Sequence, residues 1–431
     1  MLLYIHVPFC RSRCNYCAFH SMAIGRDGSG AQMMSDYLDT LLLELAHYGD
    51  KLGKAPVSSV FFGGGTPSLL PPDIVGRILE RIDRTFQLET KAEISLEANP
   101  ESLSRSNKAA DFLAAGINRL SIGIQRLDDS CLRVLGRPHK VQDSLNAVLA
   151  ARTAGFTNIS VDLMWGLPGQ GVRQWLQTLK DVVRLAPEHH SSYCLTLEPG
   201  TPLELDCDAG RLVLPPERDQ NIMFMEGAAF MEKSGYLHYE ISNFARMGFQ
   251  CRHNLGYWEG EDYLGLGPSA TSTIAGARWT NPASLAAWGN LAREKSLGKQ
   301  AEILAPGTRL MEHIMLRLRT SRGLRLKAYK QLTGRDFLKD NQRLVQAMHE
   351  NGLIRIRNGY LSLTRSGMVV SNAIISNIFE RVEQTVGARP PRPGQIELPK
   401  IESGQMAIAG NARAGNEEIR KIVWPLAEEA K

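Results

Sequence analysis

Six short, β-rich apolar runs are spaced along the first half of the chain: LLYIHV (2–7), VSSVFF (57–62), AEISLEA (92–98), RLSIGI (119–124), NISVDLM (158–164) and SSYCLTL (191–197). Between them, apolar residues recur at steps of three and four over 35–52, 73–86, 104–115 and 174–185, the spacing of an amphipathic helix. Strand followed by helix, six times over, leaves few folds open. It predicts an α/β fold with a parallel sheet and right-handed crossovers. Six units are too few for a closed eight-stranded barrel, so an open partial (β/α)6 barrel or a doubly wound sheet remains. In either, functional residues gather beyond the carboxyl ends of the strands.

The residues at those ends meet that expectation. Cys10, Cys14 and Cys17 follow the first run, and Gly63-Gly64-Gly65-Thr66-Pro67 follows the second. Glu97 closes the third, Gln125 follows the fourth, Asp162 lies near the end of the fifth and Thr196 near the end of the sixth. Six consecutive strands deliver glycine or polar chemistry at one end, which predicts a single pocket built from all six loops.

Length and patterning divide the rest. A chain of 431 residues has room for two or three domains. The strand–helix region is expected over 1–235 and a Gly/aromatic-rich extension over 236–306. An α/β module over 307–380 has two or three helices leading into LIRIRNGYLSLT, where Asn358-Gly359 signals a hairpin; that order reads as a winged-helix-like fold. From 381 to 431 the chain is Pro/Gly-rich and is read as mostly disordered, with NEEIRKIVWPLAEEAK a short helix or a docked tryptophan. No apolar run reaches the roughly 18 residues of a membrane span, and the first residues lack the pattern of a secretory signal, so a cytoplasmic protein is expected. Seven cysteines, four of them scattered, make a poor disulfide framework and fit a reducing compartment. A net charge of +5 neither demands nor excludes a nucleic-acid partner.

Three thiols spaced CxxxCxxC admit two chemistries. His20 completes Cys10, Cys14 and Cys17 into a closed Cys3His zinc site. Alternatively the three hold an iron–sulfur cluster, whose full ligation takes four cysteines, leaving one iron open. Location favours the cluster, because a structural zinc clip has no reason to sit where functional loops converge. Arg11 and Arg13 flank the thiols, which favours thiolates. The glycine run lacks the Gly-Lys-Ser/Thr of an ATP-type loop and the GxGxxG pattern. It lets backbone approach a small polar ligand, or simply makes a tight turn.

These motifs together resemble the radical S-adenosylmethionine superfamily: CxxxCxxC on the first loop, GGGTP on the second, and six strand–helix units. The resemblance implies a [4Fe–4S] cluster on Cys10, Cys14 and Cys17, with its open iron chelated by S-adenosylmethionine, whose sulfonium the cluster's electron cleaves to a 5′-deoxyadenosyl radical. The segments YIHVPFC, FFGGGTPSLL, LEANPESL, GINRLSIGIQ, VDLMWGLPGQ, YEISNFA and HNLGYW, over roughly 1–375, are similar to the oxygen-independent coproporphyrinogen III oxidase group. That similarity implies S-adenosylmethionine contacts at Tyr4, Tyr16, Gly64, Gly65, Thr66, Glu97, Gln125, Arg137, Asp162 and Thr196. Taken singly, each is equally at home in a structural salt bridge or cap.

Two positions separate the branches of that group. The dehydrogenases resembled here carry a fourth cysteine two residues after the third; in this sequence that position is Phe19. The heme-chaperone branch lacks it and carries HNxxYW, present here from His253 to Trp258. The resemblance therefore implies a protein that binds heme and delivers it to heme-requiring enzymes, membrane-bound respiratory enzymes among them, acting at the membrane surface during delivery and leaving room for a homodimer. His253, Tyr257 and Trp258 become candidate heme contacts, with Cys251 and Arg252 beside them. The alternative is that His253 and Asn254 pin a turn while Tyr257 and Trp258 fill the core. A radical decarboxylase of coproporphyrinogen III is the rival function. Nucleic-acid binding is not expected, because the basic run around Arg317 and Arg319 has no aromatic platform beside it.

Overall fold

The structure, a computed structural model, describes residues 1–24, 29–104 and 107–386. The six apolar runs all become strands: β1 (Leu2–Val7), β2 (Pro56–Gly64), β3 (Gln87–Ala98), β4 (Arg119–Gln125), β5 (Ile159–Trp165) and β6 (His189–Cys194). Central parallel strands are covered on both faces and read as unbroken apolar runs. That coverage makes exceptions informative. The one residue not fully buried is Tyr4 in β1, Gln125 in β4 and Asp162 in β5, and Glu97 is the half-buried residue near the end of β3. Each is a site residue expected from the sequence.

The extension supplies β7 (Leu237–Glu240), β8 (Asn243–Ala245), β9 (Tyr263–Leu266), β10 (Thr271–Ile274), β11 (Ala277–Thr280) and β12 (Glu302–Ile303). All join one twelve-stranded sheet in the order β12-β11-β10-β9-β1-β2-β3-β4-β5-β6-β8-β7. β9 lies parallel to β1, with Leu2 opposite Tyr263, so seven adjacent strands run parallel. β8 and β7 continue one edge antiparallel, and β10, β11 and β12 continue the other. Residues 236–306 therefore extend the partial barrel on both sides, covering edges that six strands alone would leave open. Trp279, Trp288 and Leu297 of this segment share one core with Leu3, Ile5 and Val60.

Helices α1 (Ser29–Leu52), α2 (Pro72–Thr85), α3 (Lys108–Ala114), α4 (Val141–Ala154) and α5 (Val172–Arg184) fill the crossovers. α2 shows what holds them. It begins with proline and has no side-chain cap, but buries Ile74, Val75, Ile78, Leu79 and Ile82 along one face, about 1.5–3 kcal/mol for each aliphatic side chain. α1 is stapled to the extension by Glu44, wholly buried, whose carboxylate accepts from the Gly267 N–H (2.8 Å), Asn281 Nδ2 (2.7 Å) and Trp288 Nε1 (3.1 Å).

After α6 (Glu217–Lys233) and α7 (Arg252–Glu259), α8 (Pro306–Leu318) opens the last module. Its sheet has the order β13 (Leu324–Arg325), β15 (Tyr360–Leu363), β14 (Ile354–Arg357). The β14–β15 turn falls on Asn358-Gly359, with φ of +52° and +78°, the left-handed pair that a two-residue hairpin of this type requires. The module has its own core, including Leu310, Ile314, Tyr329, Phe337 and Leu361. Phe224 of α6 packs against both cores. The final helix, Ser371–Val386, reaches past the expected boundary at 380; the remainder of the tail, with its closing NEEIRKIVWPLAEEAK, lies outside the described residues.

Candidate functional site

The cysteine loop leaves β1 and folds back, because Phe9–Cys10 pairs in parallel with Met22–Ala23. All three thiols are partly exposed. Thr66 Oγ1 donates to Cys10 Sγ (3.5 Å) and Arg137 Nη1 to Cys14 Sγ (3.5 Å). Burial pushes the Cys10 and Cys17 thiols above their ordinary range, and the neighbouring cysteines push the same way. The cation hydrogen-bonded to a thiol is thus Arg137, from beyond β4, while Arg13 acts on Cys17 through its charge alone. Arg11 and Arg13 are exposed, and Arg13 Nε reaches the Cys17 carbonyl (3.2 Å).

Among the described residues, no three or more His, Cys, Asp or Glu side chains converge on a point that would hold a single ion. His20 instead lies against His6, with ring centroids 6.2 Å apart, and its carbonyl bonds to His6 Nε2 (3.0 Å). Three thiols on one loop, with an arginine and a threonine donating to two of them, fit a polynuclear cluster better than one tetrahedral ion.

The glycine loop is welded to this one. Gly65 N–H donates to the Val7 carbonyl and Thr66 N–H to the Phe9 carbonyl, both at 2.8 Å. A Cβ on Gly65 would lie 2.7 Å from the Phe9 carbonyl oxygen and 2.9 Å from that of Val7, so only glycine admits this approach. Gly64, at φ +110°, donates its N–H to Glu97 Oε2 (3.1 Å).

The remaining strand ends supply a ring of polar groups. Burial, then the Asp162 charge, pushes the Glu97 carboxyl up to about 8. Asp162 is raised by burial and accepts from Ser121 Oγ at 3.0 and 3.1 Å. Two half-buried carboxyls that resist sharing negative charge suit a ligand bringing an ammonium or hydroxyls. Gln125 sits at φ +62°, the kind of backbone strain that clusters at functional sites. Arg137 Nη2 donates to Asn99 Oδ1 (2.7 Å) and the Gly123 carbonyl (2.9 Å), while its buried Nε has no hydrogen-bond partner among the described residues. Burial opposes the Arg137 charge, but Tyr16, Cys14 and Glu101 beside it hold the proton on. Tyr16 is thus placed by the cysteine loop against Arg137. Thr196 lies exposed beyond β6; the β6 residue beside Asp162 and Ser191 is Tyr193, 46% exposed.

The HNxxYW segment is α7. Its N-terminus is clasped by Glu93 of β3, which accepts from the Arg252 N–H (3.0 Å), the His253 N–H (3.2 Å) and Cys251 Sγ (3.3 Å), an acidic group where the helix dipole favours one. His253 is 2% exposed. Its Nδ1 bonds to Ser59 Oγ (2.8 Å) and its ring stacks on Phe61 (5.1 Å) and meets Tyr257 edge-on (4.8 Å). Burial and then Arg119 push its pKa down to about 3, so the ring stays neutral. Asn254 Nδ2 reaches the Tyr239 hydroxyl (3.1 Å), which pairs with His189 Nε2 (2.8 Å); His189 Nδ1 in turn pairs with Ser160 Oγ (2.8 Å), beside Asp162. A buried hydrogen-bonded chain thus runs from the strand-end carboxylate to the motif helix.

Between this helix and the cysteine loop lies a cavity of about 410 Å³, lined by Tyr4, His6, Phe19, His20, Tyr257 and Tyr263, with 269–271 and Leu316. Tyr257 reaches it. His253 lies one ring behind, and Trp258 is not on the wall, its buried Nε1 having no hydrogen-bond partner among the described residues. Sequence reasoning passed over Glu93, Asn99, Arg119 and Tyr239. Their neighbours LEANP and YEISNFA were visible as motifs, but nothing local marks a strand glutamate as the cap of a helix more than 150 positions later.

A family model described as the radical SAM superfamily matches residues 4–182, and one described as the HemN C-terminal domain matches 304–370. The chain is 34% identical over 373 residues to the heme chaperone HemW of Bacillus subtilis (strain 168), covering 86% of this chain and 97% of that protein. It is 35% identical over 408 residues to the mitochondrial radical S-adenosyl methionine domain-containing protein 1 of Bos taurus, covering 90% and 89%. Among solved structures, coproporphyrinogen III oxidase (HemN) from Escherichia coli, a radical SAM enzyme, matches with a TM-score of 0.72 at 25% identity, over 88% of this chain and 89% of that one. The chain belongs to the HemW family, within the radical SAM superfamily.

Proposed function

We propose that this protein is a heme chaperone, binding heme and delivering it to heme-dependent enzymes, and that it carries a [4Fe–4S] cluster and S-adenosylmethionine. The observation that carries this reading is the aromatic cavity, because it joins the cysteine loop to the HNxxYW helix, with Phe19 on its wall where a fourth cysteine would otherwise stand. The name of the Bacillus relative agrees, and the family implies the cluster and its cosubstrate. Cys10, Cys14 and Cys17 would hold the cluster, supplying one-electron chemistry at that loop. Gly64, Gly65 and Thr66 would receive the amino-acid end of S-adenosylmethionine, and Glu97, Asp162 and Arg137 its charged and hydroxyl groups, with Tyr4, Tyr16 and Gln125 alongside. Thr196 is the weakest member, being exposed beyond the end of β6. Tyr257 would wall the heme, with His253 behind it and Trp258 anchoring the helix.

The recipients would be membrane-bound respiratory enzymes, met at the membrane surface. Among the described residues no helix is long and apolar enough to cross a membrane. The rival function, decarboxylation of coproporphyrinogen III, draws on the HemN likeness, but the chain has Phe19 where the resembled dehydrogenases have cysteine. Anaerobic purification with iron, sulfide and heme analysis tests the two. Heme retention with a Soret band and no protoporphyrinogen is expected; conversion of coproporphyrinogen with consumption of S-adenosylmethionine would overturn the chaperone reading.

A further inference from the structure

Positive charge is concentrated in the last module. Residues 307–380 hold thirteen lysines and arginines against five aspartates and glutamates, a net +8 in a chain whose total is +5. Some of these cations are paired: Arg335 with Asp340 (2.9 Å), Arg365 with Glu232 (2.9 Å) and Arg317 with Glu259 (3.6 Å). Arg325, Arg355 and Arg357 are exposed and form no salt bridge among the described residues.

Strand pairing puts those three on one face. In the sheet β13-β15-β14, Arg325 and Arg357 stand opposite Tyr360 from its two sides, and Arg355 stands opposite Ser362. Directly opposed residues share a face, so Arg325, Tyr360 and Arg357 form a row across all three strands, with Arg355 and Ser362 beside it. The other face carries Leu324, Leu361, Leu363 and Ile354, which fill the module's core. Two strand spacings put Arg325 and Arg357 roughly 10 Å apart, and Arg355 lies about 7 Å from Arg357 along β14. Arg322 joins them, its guanidinium 5.4 Å from the Tyr360 ring centroid and its Nη2 donating to the Tyr360 hydroxyl (3.2 Å). The three strands contribute no carboxylate. Glu259 of α7 meets the cluster only at Arg322 Nη1 (3.5 Å), and it is shared with Arg317.

Like charges gathered on one sheet face destabilise it, and a surface of opposite sign offsets that cost. Two classes of polyanion compete. Single-stranded nucleic acid is held by bases stacked on open aromatic rings; this face has one ring, and Arg322 stands over it. An anionic bilayer asks for a broad array of cations with amphipathic side chains among them. Tyr360 is such a side chain, and Ile356, 41% exposed on the edge strand β14, adds an apolar one.

We propose that this sheet face docks the chain on an anionic lipid bilayer through Arg322, Arg325, Arg355 and Arg357. The contact rests for its purpose on the proposed delivery at a membrane surface, and it needs no heme to form.

The test is co-sedimentation of the full chain, without heme, with phosphatidylcholine vesicles prepared with and without phosphatidylserine. Binding to the anionic vesicles alone is expected, weakening as salt rises. An arginine near an anionic leaflet strengthens binding by roughly fivefold, about 1 kcal/mol. The triple variant Arg325→Ser, Arg355→Ser, Arg357→Ser is therefore expected to bind roughly a hundredfold more weakly; where its folding is lost, Arg355→Ser alone is expected to lose about fivefold. Arg77→Ser, Arg173→Ser, Lys180→Ser removes the same charge from exposed positions of α2 and α5 and is expected to bind as the wild type does. No binding to anionic vesicles, binding unmoved by the sheet variants, or an equal loss in the α2 and α5 variant would overturn the assignment. So would a single-stranded RNA oligonucleotide that displaces the chain from the vesicles at equal phosphate concentration. Each of these leaves heme carriage standing, whereas absence of heme after anaerobic purification would overturn heme carriage without touching this surface.

Discussion

Replacing Glu93 by alanine is the most direct probe of how the barrel positions the HNxxYW helix. Glu93 is 7% exposed and accepts two backbone N–H groups and a thiol from the start of α7. It also stands among the groups around Arg119, which is 2% exposed: burial opposes the guanidinium charge, and Cys251, Glu93, Tyr239 and Asp162 hold the proton on. Hydrogen bonds to a charged acceptor contribute about 1.5–3 kcal/mol each, and Glu93 accepts three of them from the start of α7. These terms overlap, so Glu93→Ala is expected to destabilise by about 3–5 kcal/mol, a large share of the roughly 5–15 kcal/mol that holds a domain folded. Glu93→Gln keeps an acceptor oxygen and the shape, and is expected to lose about half as much. Urea unfolding followed by tryptophan fluorescence measures both, with hemin affinity as a second readout. A Glu93→Ala loss below about 0.5 kcal/mol, the range of ordinary surface changes, would refute the clasp.

Three other outcomes follow from the same geometry. Gly65→Ala brings a methyl to 2.7 Å from the Phe9 carbonyl oxygen; it is expected to cost about 1–3 kcal/mol by overpacking and to lower cluster iron after reconstitution, and wild-type iron content would contradict it. Arg137→Lys cannot reproduce the set of bonds to Asn99, Gly123 and Cys14 because lysine lacks the planar fork; weaker S-adenosylmethionine binding by calorimetry is expected, and equal affinity would speak against Arg137 as a contact. Glu44 has a folded-state carboxyl raised by burial to about 8 from an ordinary value of 4.5. Folding therefore takes up a proton there, and that contribution is full below the unfolded value and lost as pH rises through about 8. Stability measured from pH 5 to 8.5 should fall more steeply in the wild type than in Glu44→Gln; parallel curves would show that Glu44 titrates normally.

The HNxxYW motif shows how far sequence reading carries. Its presence was plain, and Tyr257 does face the cavity, yet His253 proved to be a neutral buried ring held by Ser59. A histidine's chemistry depends on which nitrogen is already bonded, and that bond comes from a residue 194 positions away. Likewise Arg11 and Arg13 are adjacent to the thiols in the chain, while the guanidinium that touches one is Arg137.

The sequence by itself determined the six central strands, the strand-end chemistry and the Asn358-Gly359 hairpin, because buried parallel strands must be apolar throughout and left-handed turns select their residues locally. Tertiary structure decided that residues 236–306 extend the same sheet at both edges and that Glu93 caps α7. It also decided that Tyr4, His20 and Tyr257 line one cavity. Each of those outcomes depends on which surfaces meet once the sheet has formed, and no window of a few residues contains that information.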